Sequence, residues 1–185
     1  KEFRLGSNSK KTTSRTTIAS NSHHLASQDN KPLRLNEISG TEAPRINMND
    51  GELNRVLGGG LVRGSITLLG GEPGIGKSTL TMQTLLSLSH LKVLYVSGEE
   101  SAYQLKMRAE RLSKGLKDTS IDHDNLIILC ETSLETIFEQ IINIQPELII
   151  IDSIQTISTE QVESSPGSIT QVRECSSQLL RFAKT

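Results

Sequence analysis

The sequence is short of cysteine and of long hydrophobic runs, and each shortage excludes a class of protein. Its two cysteines, Cys130 and Cys175, are far apart and lack C-x-x-C spacing, so they indicate neither a zinc site nor a disulfide framework. No apolar run is long enough to span a bilayer, and no signal peptide pattern opens the chain. We therefore expect a cytoplasmic protein that does not contact a membrane.

The sequence also lacks an excess of either charge, but its charged residues are unevenly distributed. The 185 residues carry 20 Lys and Arg against 21 Asp and Glu, whereas residues 1–34 hold seven basic and two acidic residues. Ser, Thr and Asn supply 13 of the 25 residues from 6 to 30, and such a composition cannot offset the entropy of ordering. We predict a flexible basic linker over residues 1–32 and one globular domain over residues 33–185.

Short apolar runs alternate with helical patterns through the second part of the chain. Such runs are typical of strands that are covered on both faces, and they occur at 65–69, 92–97, 125–129 and 148–152. Helical patterns occur at 78–89, 101–112, 133–144 and 168–183, and a shorter one follows the cap candidate Asp50. Thr132 with Glu135 suggests a capping box before the third long helix. The alternation predicts an α/β fold with a mostly parallel sheet and helices on both faces.

One glycine-rich stretch has the form of a phosphate-binding loop. Residues 71–78 fit G-x-x-x-x-G-K-[ST], between a predicted strand and a predicted helix. The glycines allow backbone N–H groups to surround an anion, while Lys77 can reach the outer phosphates and Ser78 can bind Mg²⁺. The predicted nucleotide-binding residues are Gly71, Glu72, Pro73, Gly74, Ile75, Gly76, Lys77, Ser78 and Thr79.

Carboxylates at two predicted strand ends complete a candidate site. Asp152 ends an apolar run, so it should emerge at the carboxyl edge of the sheet beside the loop and serve the metal ion. Glu99 and Glu100 follow another strand, and only one of them can be directed inward. We choose Glu99 as the base that activates water, and Glu100 remains the alternative.

Four stretches resemble the RecA-like P-loop ATPases of bacterial DNA repair: "NRVLGGGLV", "GGEPGIGKSTL", "VLYVSGEES" and "SPGSITQVRE". The resemblance covers roughly residues 33–184. It implies that residues 33–185 form a RecA-like ATPase core whose C-terminal part is incomplete. It also implies an ATP-driven motor on single-stranded DNA that promotes branch migration of recombination intermediates. By position, Asp152 would be the Walker B acid, and Glu99 and Lys77 the catalytic residues.

The resemblance further implies ligands and partners. ATP and Mg²⁺ would be the cofactors, with Zn²⁺ only in an N-terminal ribbon that this sequence lacks. The partners would be single-stranded and branched DNA, a RecA recombinase, and further copies of the chain in a homo-hexamer. Because the chain starts at Lys1 and also lacks a C-terminal Lon-protease-like domain, we expect a fragment that binds nucleotide weakly or not at all alone.

The segment after the Walker B strand would face DNA in such a ring. By the resemblance, its contact residues are Ser164, Ser165, Gly167, Ser168, Gln171 and Arg173. The same segment is also compatible with an ordinary turn. Gln155 could sense the terminal phosphate or simply bind a neighbouring strand, and we expect Arg55, Arg63 and Arg108 to be surface charges without assigning an arginine finger.

Three functions remain open on this sequence. The first is a DNA-dependent ATPase that acts as a motor. The second is a nucleotide-gated DNA-binding or helicase-loading module that hydrolyses little ATP, and the third is a RecA-like autokinase.

Overall fold

The computed structural model describes Pro32, Arg34–Glu37, Pro44–Gly115 and Asp124–Lys184. The chain divides into two compact units, Lys1–Thr41 and Glu42–Thr185. The first unit contributes one described element, a 3-10 turn over Leu35–Glu37. The predicted linker lies outside the described residues except for Pro32, and its boundary with the globular domain stays a prediction.

The second unit contains five strands and five helices among its described residues. In chain order these are β1 (Arg45–Ile46), α1 (Gly51–Val56), β2 (Leu61–Val62), α2 (Lys77–Leu86), β3 (Val93–Ser97), α3 (Ala102–Ser113), β4 (Leu126–Cys130), α4 (Leu134–Ile144), β5 (Leu148–Asp152) and α5 (Ile169–Ala183). A 3-10 turn over Ile154–Thr156 follows β5. Strands β1 and β2 pair antiparallel, whereas the main sheet is parallel with the order β4-β3-β5.

The central strand β3 is covered on both faces, which confirms the predicted architecture. Val93 and Tyr95 pack in one apolar cluster with α2 and α3, through side chains such as Met82. Leu94 and Val96 point to the opposite face and pack in a second cluster with α4 and α5. Successive side chains of a strand alternate between faces, so every residue of β3 is buried and polar alternation is absent from this strand. None of the helices in the described part of the chain is long and apolar enough to cross a membrane.

Three of the four predicted strands are confirmed to within one residue, but the prediction of a strand at 65–69 is wrong. Those residues run as irregular backbone, and the side chains of Ile66, Leu68 and Leu69 are 48%, 82% and 48% exposed. A strand requires hydrogen bonds to a neighbouring strand, and none of the described backbone hydrogen bonds joins residues 65–69 to the outer edge of β4 or β5. The apolar composition of this segment alone therefore does not produce a strand.

The predicted cap of α1 is confirmed, and the predicted cap of α4 is one residue out of place. Asp50 accepts a hydrogen bond from Leu53 N–H at 2.7 Å, which confirms the predicted cap of α1. The cap of α4 is Ser133, one residue beyond the predicted Thr132, because the Ser133 hydroxyl accepts from Thr136 N–H. A reciprocal capping box instead starts α3.

Candidate functional site

The phosphate-loop segment turns sharply just before α2. Gly74 and Gly76 have φ angles of 77° and 100°. These values lie in the left-handed region, which residues with a Cβ atom rarely adopt. Gly76 is the residue that precedes the first turn of α2. The positions of these glycines in the motif therefore match a backbone requirement of the loop.

The amino end of α2 differs from that of the other α-helices described in the second unit. Gly76 offers no side-chain cap to the first amides of α2. The other four helices have side-chain caps from Asp50, Ser101, Ser133 and Ser168. The first N–H groups of a helix have no partner within the helix and lie at the positive end of its dipole. An anion can therefore satisfy amides that a side chain satisfies elsewhere in the fold.

The Lys77 ammonium lies over the same loop. Its Nζ donates to the carbonyl oxygens of Gly71 and Glu72 at 2.8 and 3.0 Å. An ammonium has three N–H donors, so one remains for a ligand. The loop thus places a cation beside unsatisfied backbone N–H groups, as an anion site requires.

Helix packing places this loop at the carboxyl edge of the sheet. Helix α2 packs on β3 through Met82, Leu85 and Leu86 and then leads through a short turn into the amino end of β3. Ten helical residues span about 15 Å and five strand residues about 17 Å, so the two elements are matched in length. The amino end of α2 therefore lies beside the end of β3 at which the predicted acids follow.

Asp152 and Glu99 meet at that edge. Asp152 pairs in register with Ser97, two residues before Glu99. The Glu99 carboxylate accepts a hydrogen bond from the Ser153 hydroxyl at 3.0 Å, which joins the two strand ends. Asp152 lies on the same face of β5 as Leu148 and Ile150, which pack in the cluster with α2. Both predicted acids are therefore close together, and the Asp152 side chain is on the face that carries the loop.

Glu100 forms an ion pair with a residue of α3. Its carboxylate oxygen lies 2.7 Å from Arg108 Nη2, and the side chains of Glu100 and Arg108 are only 24% and 22% exposed. Arg108 is consequently not the surface charge that the sequence predicts, because α3 turns its guanidinium inward to this pair. Of the two adjacent glutamates, Glu99 bonds the residue next to Asp152 and Glu100 pairs with Arg108, and the choice of Glu99 as the base stays a prediction.

The other arginines lie where the sequence predicts. Arg55 pairs with Glu52 on α1 and Arg63 pairs with Glu147, and both arginine side chains are largely exposed. Gln155 is exposed in the 3-10 turn after β5. Its role as a phosphate sensor stays a prediction.

The segment predicted to face DNA is divided between exposed and buried residues. Ser165, Gly167 and Arg173 are exposed, and Ser164 and Ser168 are half-buried and hydrogen-bonded to each other at 3.1 Å. The Gln171 side chain is not accessible as a DNA contact in this structure, and its predicted contact with DNA stays untested. That side chain is only 2% exposed, and its amide bonds four backbone groups of the preceding loop, at Thr159, Val162 and Ser164.

Two residues of the site were missed from the sequence. Tyr95 is fully buried, and its hydroxyl donates to Asp152 Oδ2 at 2.6 Å. Gly98 lies against Thr156 so closely that an added Cβ would overlap that side chain. Tyr95 sits in an apolar run and Gly98 in a turn, so neither position carried a signal that separated it from ordinary strand and turn residues.

A P-loop α/β domain is the class of protein that this sheet, loop and pair of acids define. The chain belongs to the AAA domain family, which matches residues 30–185. It is homologous to proteins named DNA repair protein RadA in several bacteria. It is 52% identical over 151 residues to that of Pseudomonas aeruginosa, 50% over 156 to that of Escherichia coli and 46% over 164 to that of Bacillus subtilis.

These alignments cover 81%, 84% and 88% of the chain but only 32%, 32% and 34% of the three relatives. The chain therefore spans about a third of the length of the relatives that it matches. The resemblance that its motifs indicate is confirmed at the level of the family.

Proposed function

We propose that the chain binds and hydrolyses ATP in DNA repair. The observation that carries this proposal is the uncapped, glycine-lined amino end of α2. The packing of α2 on β3 supports a position for it at the edge of the sheet where Asp152 and Glu99 follow their strands. Each of the other α-helices described in the second unit has a side-chain cap on its first amides. The homology to DNA repair proteins supports the biological setting.

The residues present fit a nucleotide with Mg²⁺. The amides of the loop and the free N–H of Lys77 suit phosphate oxygens, while the Ser78 hydroxyl and the Asp152 carboxylate are the oxygen ligands that Mg²⁺ prefers. When bound, the metal ion would supply positive charge against the phosphate oxygens. Glu99 would orient a water molecule and accept its proton, with Ser153 fixing one carboxylate oxygen.

The finer function that we propose is that of a motor on single-stranded and branched DNA that promotes branch migration. Six copies of the chain would form a ring, and a RecA recombinase is a further proposed partner. Within residues 158–174, the exposed Ser165, Gly167 and Arg173 would contact DNA. Residues 158–174 carry three glutamates and one arginine, so hydroxyl and backbone contacts to phosphate fit better than a basic patch.

The test is a measurement of ATP hydrolysis by the intact protein with and without single-stranded DNA. We expect hydrolysis to rise when DNA is added, and Lys77→Ala to abolish it. Lys106→Ala is the matched control, because Lys106 is an exposed lysine of α3 whose nearest acid, Glu110, is 3.9 Å away. Arg173→Ala should weaken the DNA response and reduce its salt dependence. Hydrolysis without any response to DNA would contradict the motor.

The variant Glu99→Gln separates the first two functions, and mass analysis tests the third. In a motor, Glu99→Gln should stop hydrolysis and DNA movement while nucleotide binding persists. In a nucleotide-gated or helicase-loading module, the same change should only prolong nucleotide-dependent DNA binding. Phosphate found covalently attached to the chain by mass analysis after incubation with ATP would indicate an autokinase instead.

A further inference from the structure

The hydrogen bond from Tyr95 to Asp152 joins the neighbouring strands β3 and β5. Asp152 pairs in register with Ser97, so Tyr95 is its diagonal neighbour on the same face of the sheet. The Tyr95 hydroxyl lies 2.6 Å from Asp152 Oδ2, within the range of a strong hydrogen bond to a carboxylate. The tyrosine is 0% exposed and packs in the apolar cluster with α2 and α3, so its ring cannot turn away without disturbing the core.

The direction of this hydrogen bond follows from the chemistry of the two groups, because an ionised carboxylate only accepts hydrogen bonds. A phenol has a single proton to donate, and here that proton is directed at Oδ2. Among the described residues, the second carboxylate oxygen of Asp152 has no hydrogen-bond partner. One oxygen is therefore fixed and the other is left for a ligand.

We propose that Tyr95 is a positioning residue, which holds Oδ2 of Asp152 so that the other carboxylate oxygen faces the metal ion at the amino end of α2. The inference rests on the proposed nucleotide function and adds to it a residue that acts through Asp152. Partners that fix the orientation of a metal-side carboxylate typically change metal affinity by about 10- to 100-fold when they are removed. Tyr95 occupies that place in this fold.

A purely structural role for the hydroxyl predicts a different result. If Tyr95 only fills the core, Tyr95→Phe keeps the ring and alters stability alone. If Tyr95 positions Asp152, the same change alters the Mg²⁺ concentration that nucleotide binding requires. The chain offers a matched control, because its only other tyrosine is Tyr103, which is 71% exposed on α3.

The experiment measures binding of a fluorescent ATP analogue as Mg²⁺ is titrated, with no hydrolysis needed. We expect Tyr95→Phe to raise the Mg²⁺ concentration for half-maximal binding about tenfold, the lower end of the range for such partners. Binding in EDTA should not change, because the loop amides and Lys77 are untouched. Tyr103→Phe should match the unsubstituted protein.

Adding Tyr95→Phe to Asp152→Asn should have no further effect on the Mg²⁺ requirement, because Tyr95 acts only through that carboxylate. Equal Mg²⁺ curves for Tyr95→Phe and Tyr103→Phe would overturn the inference, as would a full Tyr95→Phe effect in the Asp152→Asn background. If the intact protein binds no nucleotide at any Mg²⁺ concentration, the proposed function itself fails, and that outcome is distinguishable from the other two.

Discussion

Gly98 joins the end of β3 to Glu99, and the space around it predicts what a single methyl group would do there. A Cβ at Gly98 would overlap the Thr156 hydroxyl and lie 2.5 Å from Thr156 Cβ and 3.0 Å from Thr132 Cγ2. Thr156 is held in place because its hydroxyl donates to Ser153 O at 2.7 Å. Gly98→Ala must therefore displace the turn that carries Ser153, and with it the contact between Ser153 and Glu99.

The loss of stability expected for Gly98→Ala follows from overpacking of a closed space. Forcing an extra methyl group into a packed site destabilises a protein by about 1–3 kcal/mol. At roughly 2–4 °C for each kcal/mol in a protein of this size, Gly98→Ala should lower the melting temperature by about 2–12 °C. Gly51→Ala is the control, because a Cβ at Gly51 meets nothing within 4 Å.

Thermal unfolding followed by circular dichroism measures both variants, and a double-mutant cycle locates the cause. Thr156→Gly loses its own hydrogen bond to Ser153 and should destabilise the protein alone. Combined with Gly98→Ala, it should cost less than the sum of the two single changes, because the overlapping atoms are gone. The steric argument would be refuted if the destabilisations of the two single variants added up in the double variant. It would also be refuted if Gly98→Ala had the same melting temperature as Gly51→Ala.

Two further predictions concern the loops that frame α4 and α5. Gln171→Ala should lower the free energy of unfolding in urea by about 2–4 kcal/mol, because buried backbone groups lose their partners, whereas the exposed Gln155→Ala should not. Backbone N–H groups of Ser133 and then Thr132 lower the pKa of Glu131, so its carboxylate stabilises the fold above the ordinary pKa of about 4.3 and loses this effect as pH falls below it. The difference in melting temperature between the protein and Glu131→Gln should shrink from pH 6 to pH 3.5, and a constant difference would contradict this.

Features that depend on neighbouring residues in the chain were predictable from the sequence. The glycine pattern of residues 71–78 fixes a loop conformation, and the run 148–152 becomes a strand with the predicted bounds. Asp152 lies at the carboxyl edge because its run ends there, and parallel strands bring their ends to one edge. These predictions use only local spacing and one topological rule.

Features that depend on distant partners were not predictable. Residues 65–69 have the composition of a strand, but hydrogen bonds to another strand decide whether one forms. The burial of Gln171 depends on a loop seven to twelve residues earlier that folds back over the start of α5. A polar residue in a polar segment gives no sign that its amide will be enclosed in this way.

The choice between Glu99 and Glu100 combines both kinds of information and affects how their variants should be read. The sequence places two acids after β3, and in the structure the Arg108 side chain from α3 pairs with one of them, Glu100. Arg108 Nη1 is buried and has no hydrogen-bond partner among the described residues, so Glu100 is the main compensation for the buried guanidinium. Removing one partner of a buried pair leaves the other charge uncompensated. Glu100→Gln should therefore act on stability, while Glu99→Gln should act on hydrolysis with the fold intact, so the two measurements must be made together for each variant.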